Sequence, residues 1–410
     1  MREMTRTRCG HLPRPWCAPL VASLIFLGAG FVYGQSTTRL LLASGTGVPE
    51  HAGIVFGPFS NLAMNGNEQI VFLSTLRSSK SELRSVIRSV GVTFSVVAFE
   101  GLRAPVPKGF YESFSAPSLN DAGLVAFTAN LKQESEEVPK SIVVRVEGTN
   151  HTAIARVGDA IPGDPGTTFQ EFSAPLIDSS GNVLFAARTA GAHAGTGLYL
   201  WTPRETRVVP IPPEFKLKAN DLLEPVFSSQ DEAVFARRGF PRDLVTDQFF
   251  RAIANKNFQA LNPPPAATET QEALAARPGD AIAEMLLVVM GGEKVETAAL
   301  AGNPAQAVMA RLAPGVPLKP LGRIQAQTAG AHGNIIFAAT PSDAPNDLAL
   351  FCYCDGEIDR LTTPEEFMSI TIAALGKPVT SLAGDGHNTV AFIVPGEVEG
   401  TSAIYVTSLP

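Results

Sequence analysis

Two stretches of this chain superpose without a gap: Phe114-Ser-Ala-Pro-Ser-Leu-Asn120-Asp-Ala-Gly123-Leu-Val125-Ala-Phe127 and Phe172-Ser-Ala-Pro-Leu-Ile-Asp178-Ser-Ser-Gly181-Asn-Val183-Leu-Phe185. Repetition of this kind excludes most single-core folds, because each unit must bury its apolar surface against the next copy of itself. The Asn or Asp followed three residues later by Gly is turn chemistry: an Asx side chain bonds the backbone just ahead of it, and Gly accepts positive φ. The alternating Val125, Phe127 and Ala129 then mark one face of a strand, with small or polar neighbours on the other.

Weaker copies run through the chain: Phe59 to Phe72 with Asn65 and Ile70, Ala233 to Phe235, Gly333-Asn-Ile335-Ile-Phe337, and Asp385 through Val390 to Phe392. A strand Phe recurs at 72, 127, 185, 235, 337 and 392, a position expected in the core, and the interval from Phe235 to Phe337 is about twice the others. A unit centred on Leu286, in Glu284-Met-Leu-Leu-Val-Val-Met290, fills that gap and brings the count to seven. Residues 262–292 fit least well, since Thr268 to Ala276 has a short helical pattern. They read as an insertion ahead of the fifth unit; if they replace that unit, the count is six.

Each strong unit has a second half. Ser141-Ile-Val-Val-Arg-Val-Glu-Gly148 and the segment from Thr152 to Gly158 add two more strands, followed by a loop to Gly166. Four strands in a repeat of roughly 50 to 58 residues is the content of one β-propeller blade. The ends of the chain agree with a ring. Leu41-Leu-Ala-Ser-Gly45-Thr-Gly-Val-Pro49 matches Ile154 to Pro162, the last strand of a unit, whereas the segments at 378–382, 388–394 and 402–408 supply three strands and no fourth. An N-terminal strand completing the last blade removes an exposed sheet edge. The expected fold is therefore all-β, a β-propeller of seven blades or six, over residues 35–410.

The segment before it reads as a signal peptide over 1–34. Arg2, Arg6, Arg8 and Arg14 precede an apolar run from Leu20 to Val32, and cleavage is expected after Gly34. The run is too short for a stable membrane span, and no Cys lies just beyond it to accept a lipid. Hydrophobic residues at 45% and charged residues at 17%, with 36 Gly and 32 Pro, suit short buried strands joined by tight turns. Loss of 1–34 leaves 28 basic and 38 acidic side chains, a net charge of −10, which argues against nucleic acid as a partner. Cys9 and Cys17 leave with the signal, so only Cys352 and Cys354 remain. On one strand face, a direct bridge between i and i+2 strains the loop, and these two read as unbridged or irregularly paired thiols rather than a redox or metal site.

No catalytic signature is present, neither Gly-x-Ser-x-Gly nor His-Glu-x-x-His nor a phosphate-cradling loop. Catalytic residues stay unassigned, and no cofactor or metal is expected. His11 leaves with the signal, His51, His151 and His193 fall in predicted turns, and His332 and His387 precede strand Phe residues as exposed turn residues. Asp159 and Asp164, in Gly158 to Gly166, lack the dense oxygen ligands of a calcium loop and read as a structural turn. Glu134, Glu136 and Glu137 read as a solvated hairpin tip.

The Asn-x-x-Gly-x-Val-Ala-Phe form of residues 120–127, with a signal peptide and no enzyme motif, resembles a family of exported bacterial tandem-repeat proteins that carry this signature. The resemblance spans the mature chain but rests on one short motif. It implies a secreted or surface protein of undefined activity, although the anchoring tail common in such proteins has no counterpart before Pro410. The functional expectation is a monomeric, extracytoplasmic binding scaffold for a protein or glycan. The alternative is a polysaccharide hydrolase or lyase whose site is assembled in the central channel from several blades.

Overall fold

The structure is a computed structural model. It describes residues 37–132, 138–212, 215, 217, 221–228, 232–238, 284–291, 294–301, 309–310, 317–329, 335–344, 348–354, 357–361, 379–386 and 388–409. The chain divides into Met1–Gly34 and Gln35–Pro410, and the described residues belong to the second unit. The signal-peptide reading, His11, His332, His387, the three glutamates at 134–137 and the Thr268–Ala276 helix lie outside the described residues. No helix among them is long and apolar enough to cross a membrane.

After β1 (Thr37–Ala43) come six antiparallel sheets among the described residues, in chain order. The first holds β2 (Val55–Met64), β3 (Gln69–Arg77), β4 (Glu82–Val90) and β5 (Thr93–Phe99). The second holds β6 (Tyr111–Phe114), β7 (Ser118–Leu119), β8 (Val125–Leu131), β9 (Ser141–Glu147) and β10 (Asn150–Arg156). The third holds β11 (Ala160–Ile161), β12 (Asp164–Phe172), β13 (Leu176–Ile177), β14 (Val183–Gly191), β15 (Thr196–Trp201) and β16 (Thr206–Val209). The fourth holds β17 (Leu223–Ser228), β18 (Glu232–Arg237), β19 (Glu284–Gly291) and β20 (Lys294–Ala301). The fifth holds β21 (Met309–Ala310), β22 (Lys319–Ala329), β23 (Ile335–Pro341), β24 (Ala349–Cys354) and β25 (Glu357–Arg360). The sixth joins β26 (Ser381–Gly384), β27 (Thr389–Pro395) and β28 (Ser402–Ser408) to β1, so the first strand of the chain completes the last sheet, with Thr37 opposite Ser408.

The sheets pack face to face. Val71 and Val86 of the first share a core with Phe127 and Val144 of the second, while Ala126 and Val143, on the opposite face of that second sheet, pack with Phe169 and Phe185 of the third. Third meets fourth through Leu184, Leu200 and Phe235, fifth meets sixth through Ile336 and Phe392, and sixth meets first through Ile404 and Phe72. The fourth and fifth meet where β17 lies beside β22, and a circuit of antiparallel sheets packed against their neighbours is a β-propeller. The second strand of each blade is thus buried on both faces, not on one as the alternation suggests. Ala126 and Ala186 have no exposed surface because a small side chain lets the next sheet approach.

The six repeated Phe residues are all fully buried. Their cross-strand partners correct the sequence reading of the long interval. Phe185 lies opposite Tyr199, Phe337 opposite Phe351 and Phe392 opposite Tyr405, and Phe235 lies opposite Leu286 in the same way. Leu286 is therefore the third strand of the fourth blade, not the second strand of a separate unit, and the seventh blade has no sheet among the described residues. The doubled interval arises because the connection between β18 and β19 is long.

The recurrent Asx does two jobs. Asn65, Asn120, Asp178 and Asp385 are buried, and the Oδ1 of each accepts the backbone N–H four residues ahead, from Gln69, Leu124, Asn182 and Thr389, at 2.8–3.0 Å. In addition, Asn65 Nδ2 donates to the Asn120 carbonyl at 2.7 Å, and Asn120 Nδ2 donates to the Asp178 carbonyl at 3.0 Å. These are bonds between blades. Gly123 and Gly181 close the turns at φ +77° and +80°, where the first blade instead places Glu68 at +56°.

Candidate functional site

The Phe-Ser-Ala-Pro segments each read as part of one strand but separate two, β6 from β7 and β12 from β13. Proline has no N–H to donate, so pairing to the second strand breaks at Pro117 and Pro175. The serine replaces it: Ser115 and Ser173 bond the second strand through their backbone N–H, and their Oγ atoms accept the N–H of Thr128 and Ala186 at 2.9 and 3.1 Å. Thr128 Oγ1 then donates to the Ser173 carbonyl of the next blade at 2.6 Å. This bent, side-chain-tied backbone forms the inner edge of the second and third blades.

A cavity of about 540 Å³ opens there. Its walls come from Asn61 on β2, Phe114 to Ala116 after β6, Gln170 to Phe172 on β12, and Glu224 and Pro225 on β17, with Arg238, Lys140 and Asn130. Four consecutive blades meet around one space only at the ring axis, where their first strands converge. The volume falls within the range of about 300–1,000 Å³ usual for small-molecule sites.

Three charged side chains that line this cavity are linked, and Arg188, outside the lining, joins them through Glu171. Arg238 Nε donates to Glu224 Oε1 at 2.5 Å, Arg238 Nη1 also bonds Glu171 Oε1, and Arg188 Nη2 lies 2.8 Å from Glu171 Oε2. Burial works to lower the Arg238 pKa, but the hydrogen bonds to Glu224 and Glu171 outweigh it and hold the guanidinium above its ordinary range. Across the cavity Lys140 is exposed and has no partner among the described residues. Asn61 holds φ +54°, an uncommon conformation for a residue other than Gly.

The residues weighed from the sequence lie elsewhere. His151 is on β10 rather than in a turn, half-buried, with Nδ1 2.8 Å from the Tyr111 hydroxyl. Desolvation lowers its pKa, against a hydrogen bond to the Val97 backbone, and burial pushes the Tyr111 hydroxyl up. His193 is an exposed loop residue whose Nδ1 donates to Asp164 Oδ2 at 2.6 Å. Asp164 also accepts from Thr167 Oγ1 and Gly166 N, and these bonds, with His193, hold its carboxyl below the usual range. Asp159 caps Arg156 N, and His51 is exposed. Cys352 and Cys354 on β24 are joined as a disulfide, so the expectation of unbridged thiols is corrected; their Cα atoms stand 5.6 Å apart, within bridging reach. No group of three or more His, Cys, Asp or Glu able to hold a metal ion occurs among the described residues.

Glu171, Arg188, Glu224, Arg238 and Lys140 were not singled out by the sequence. Lys140 belongs to the second blade, Glu171 and Arg188 to the third, and Glu224 and Arg238 to the fourth; the two arginines each follow the recurrent Phe by three residues, a regularity that could have flagged them, whereas each of the others alone looks like a solvated strand or loop residue.

A model of a family of unknown function (DUF7453) matches residues 27–145. No curated protein matches the sequence. Among solved structures the chain is similar to the GH93 α-L-arabinofuranosidase of Fusarium graminearum, at 10% identity and a TM-score of 0.41, covering 92% of this chain and 98% of that one. It is also similar to the Trypanosoma rangeli sialidase, at 10% identity and a TM-score of 0.42, covering 91% of this chain but spanning only 58% of the sialidase. A third is a calcium-binding regucalcin from Agrobacterium tumefaciens, at 9% identity and a TM-score of 0.31, covering 85% and 89%.

Proposed function

We propose that the chain is an exported, extracytoplasmic, monomeric binding module that holds a glycan segment in the axial cavity without cleaving it. The observation that supports this is the linked set Glu224, Arg238 and Glu171 at the cavity wall, with Arg188 paired to Glu171. Planar carboxylates and guanidiniums that already orient one another present fixed acceptors and donors to incoming hydroxyl groups, which lowers the ordering cost of binding. Ion pairs this exposed add only about 0–1 kcal/mol each to stability. Folding energy alone is therefore a weak reason to gather them at the axis. Both oxygens of Glu171 are engaged by guanidiniums, the atoms that a nucleophile or general base would use.

The second reading, a polysaccharide hydrolase or lyase, draws on one fact: two carboxylates from adjacent blades enter the same cavity. A glycan array followed by calorimetry on the leading hits separates the two. Binding without release of reducing ends or unsaturated products, weakened by Glu224→Gln and Arg238→Gln at unchanged melting temperature, supports the module. Product release that Glu224→Gln abolishes establishes the enzyme instead.

A further inference from the structure

Three blades place a Phe at the same point of the inner strand. Phe59, Phe114 and Phe172 pair with Ser74, Ala129 and Ala187, each two residues after the core Phe of its blade. Phe59 and Phe172 are sealed at 5% and 4% exposure, the second although it borders the cavity. Phe114 is only partly buried and lines the cavity. The two rings that meet it do not lie parallel to it, Phe127 standing at 84° and Tyr111 at 55°. Beside it the hydroxyl groups are already engaged: Ser115 Oγ accepts Thr128 N and bonds the Ala116 carbonyl, and Thr128 Oγ1 donates to the Ser173 carbonyl. Ala116 and Ala174, one repeat position in consecutive blades, and Pro225 extend this apolar lining. It offers contact area without hydrogen bonds, whereas Glu171, Glu224 and Arg238 offer oriented donors and acceptors. A ligand that uses both parts is flat, apolar on a face and hydroxylated at its rim.

Resting on the glycan reading above, we propose that the ligand is a pyranose oligosaccharide and that Phe114 is its stacking residue, the platform on which one sugar ring lays its C–H face. A pyranose chair directs axial C–H bonds to its faces and equatorial hydroxyls outward, and the electron-rich face of an aromatic ring attracts those C–H hydrogens. The outward hydroxyls then meet the Glu224 and Arg238 pair. A furanose ring lacks the set of parallel axial C–H bonds and offers the platform less. Phe114 is held beforehand by Phe127 and Tyr111, so little ordering cost falls on binding.

The test titrates the full chain by calorimetry with cellotetraose, a galactan tetrasaccharide and an arabinan tetrasaccharide, the last built of furanose rings. The proteins are wild type, Phe114→Leu, Phe114→Met and Phe59→Leu. Leucine and methionine keep an apolar side chain but remove the ring. Phe59 holds the equivalent place outside the cavity lining, so Phe59→Leu, with the melting temperatures of all four proteins, reports what loss of a ring does to the fold alone. The expected result is binding of one or both pyranose ligands, a loss of about threefold to tenfold in affinity in both Phe114 variants, and wild-type affinity in Phe59→Leu. A pyranose glycan that binds on the array when neither of these does is titrated in their place. Unchanged affinity in the Phe114 variants, an equal loss in Phe59→Leu, or a preference for the arabinan fragment overturns the stacking role while the glycan site stands. No binding by any of the three, nor by any glycan on the array, overturns both.

Discussion

Asn120→Asp changes one atom, NH2 to O, at a side chain only 1% exposed. Asn120 Oδ1 accepts Leu124 N, and its Nδ2 donates to the Asp178 carbonyl of the next blade. An ionised Asp keeps the first bond and turns the second into a close approach of two oxygens. A protonated Asp keeps both, with its O–H replacing the N–H. The folded variant is therefore expected to favour the neutral acid, raising the pKa of this new group above its unfolded value of about 3.9. The stability it retains is full below that value and is lost as pH rises through the folded pKa. From about pH 4 to about pH 7, at about 1.4 kcal/mol per unit, the ceiling on the loss is about 4 kcal/mol. Asn120→Ala forfeits both bonds at any pH, an expected cost of about 2–3 kcal/mol. Urea denaturation of wild type and both variants at the two pH values measures the differences. The aspartate deficit should shrink to about 1 kcal/mol or less in acid, whereas the alanine deficit stays constant. An aspartate variant as stable as wild type at neutral pH, or one whose deficit tracks that of alanine, refutes the role given to the inter-blade bond. The third blade already carries Asp at this place, and there the second oxygen accepts Asn182 Nδ2 at 2.8 Å, a donor that Leu124 cannot supply.

Gly181→Ala places a Cβ 2.9 Å from Leu124 Cδ1 at φ +80°; a destabilisation of about 2–3 kcal/mol in thermal or chemical melts is expected, and a change within about 0.5 kcal/mol would show that the turn needs no glycine. Deleting residues 37–43 removes β1 and exposes the edge of β28, so the truncated chain should associate or aggregate on a sizing column, and a stable monomer would contradict closure by this strand. Because burial lowers the His151 pKa, the unfolded chain binds its proton first as pH falls below about 6.5. Stability should be full above that value and decline below it, and His151→Gln should remove this component; a wild-type-to-variant difference that does not change between about pH 8 and pH 5 would count against it.

Much of the blade was legible because its causes are local. The Asx-to-Gly turn and the buried Phe after it are dictated within about 15 residues. The split at Pro117 is itself a local fact that a plain strand pattern conceals. Blade number was less legible, since Leu286 in its apolar run carries the same pattern whether it opens a unit or serves as a third strand. Only its pairing with Phe235, across the long connection, decides between them. His151 misled for a related reason: Asn150 and His151 look like turn residues beside Gly148, yet the hairpin ends early and the histidine joins β10 under Tyr111.

The sequence by itself determined an all-β fold with a spare strand at one end and a place for it at the other, and pairing between those two ends follows from the cost of leaving a sheet edge open. Tertiary structure alone decided what the ring encloses. Lys140, Glu171, Arg188, Glu224 and Arg238 stand on the second, third and fourth blades, and apart from Arg188 and Arg238, each three residues after the recurrent Phe, no shared repeat position relates them. They meet because sheets packed around an axis bring their inner edges together, and charge at a distance in sequence becomes chemistry only when folding removes that distance.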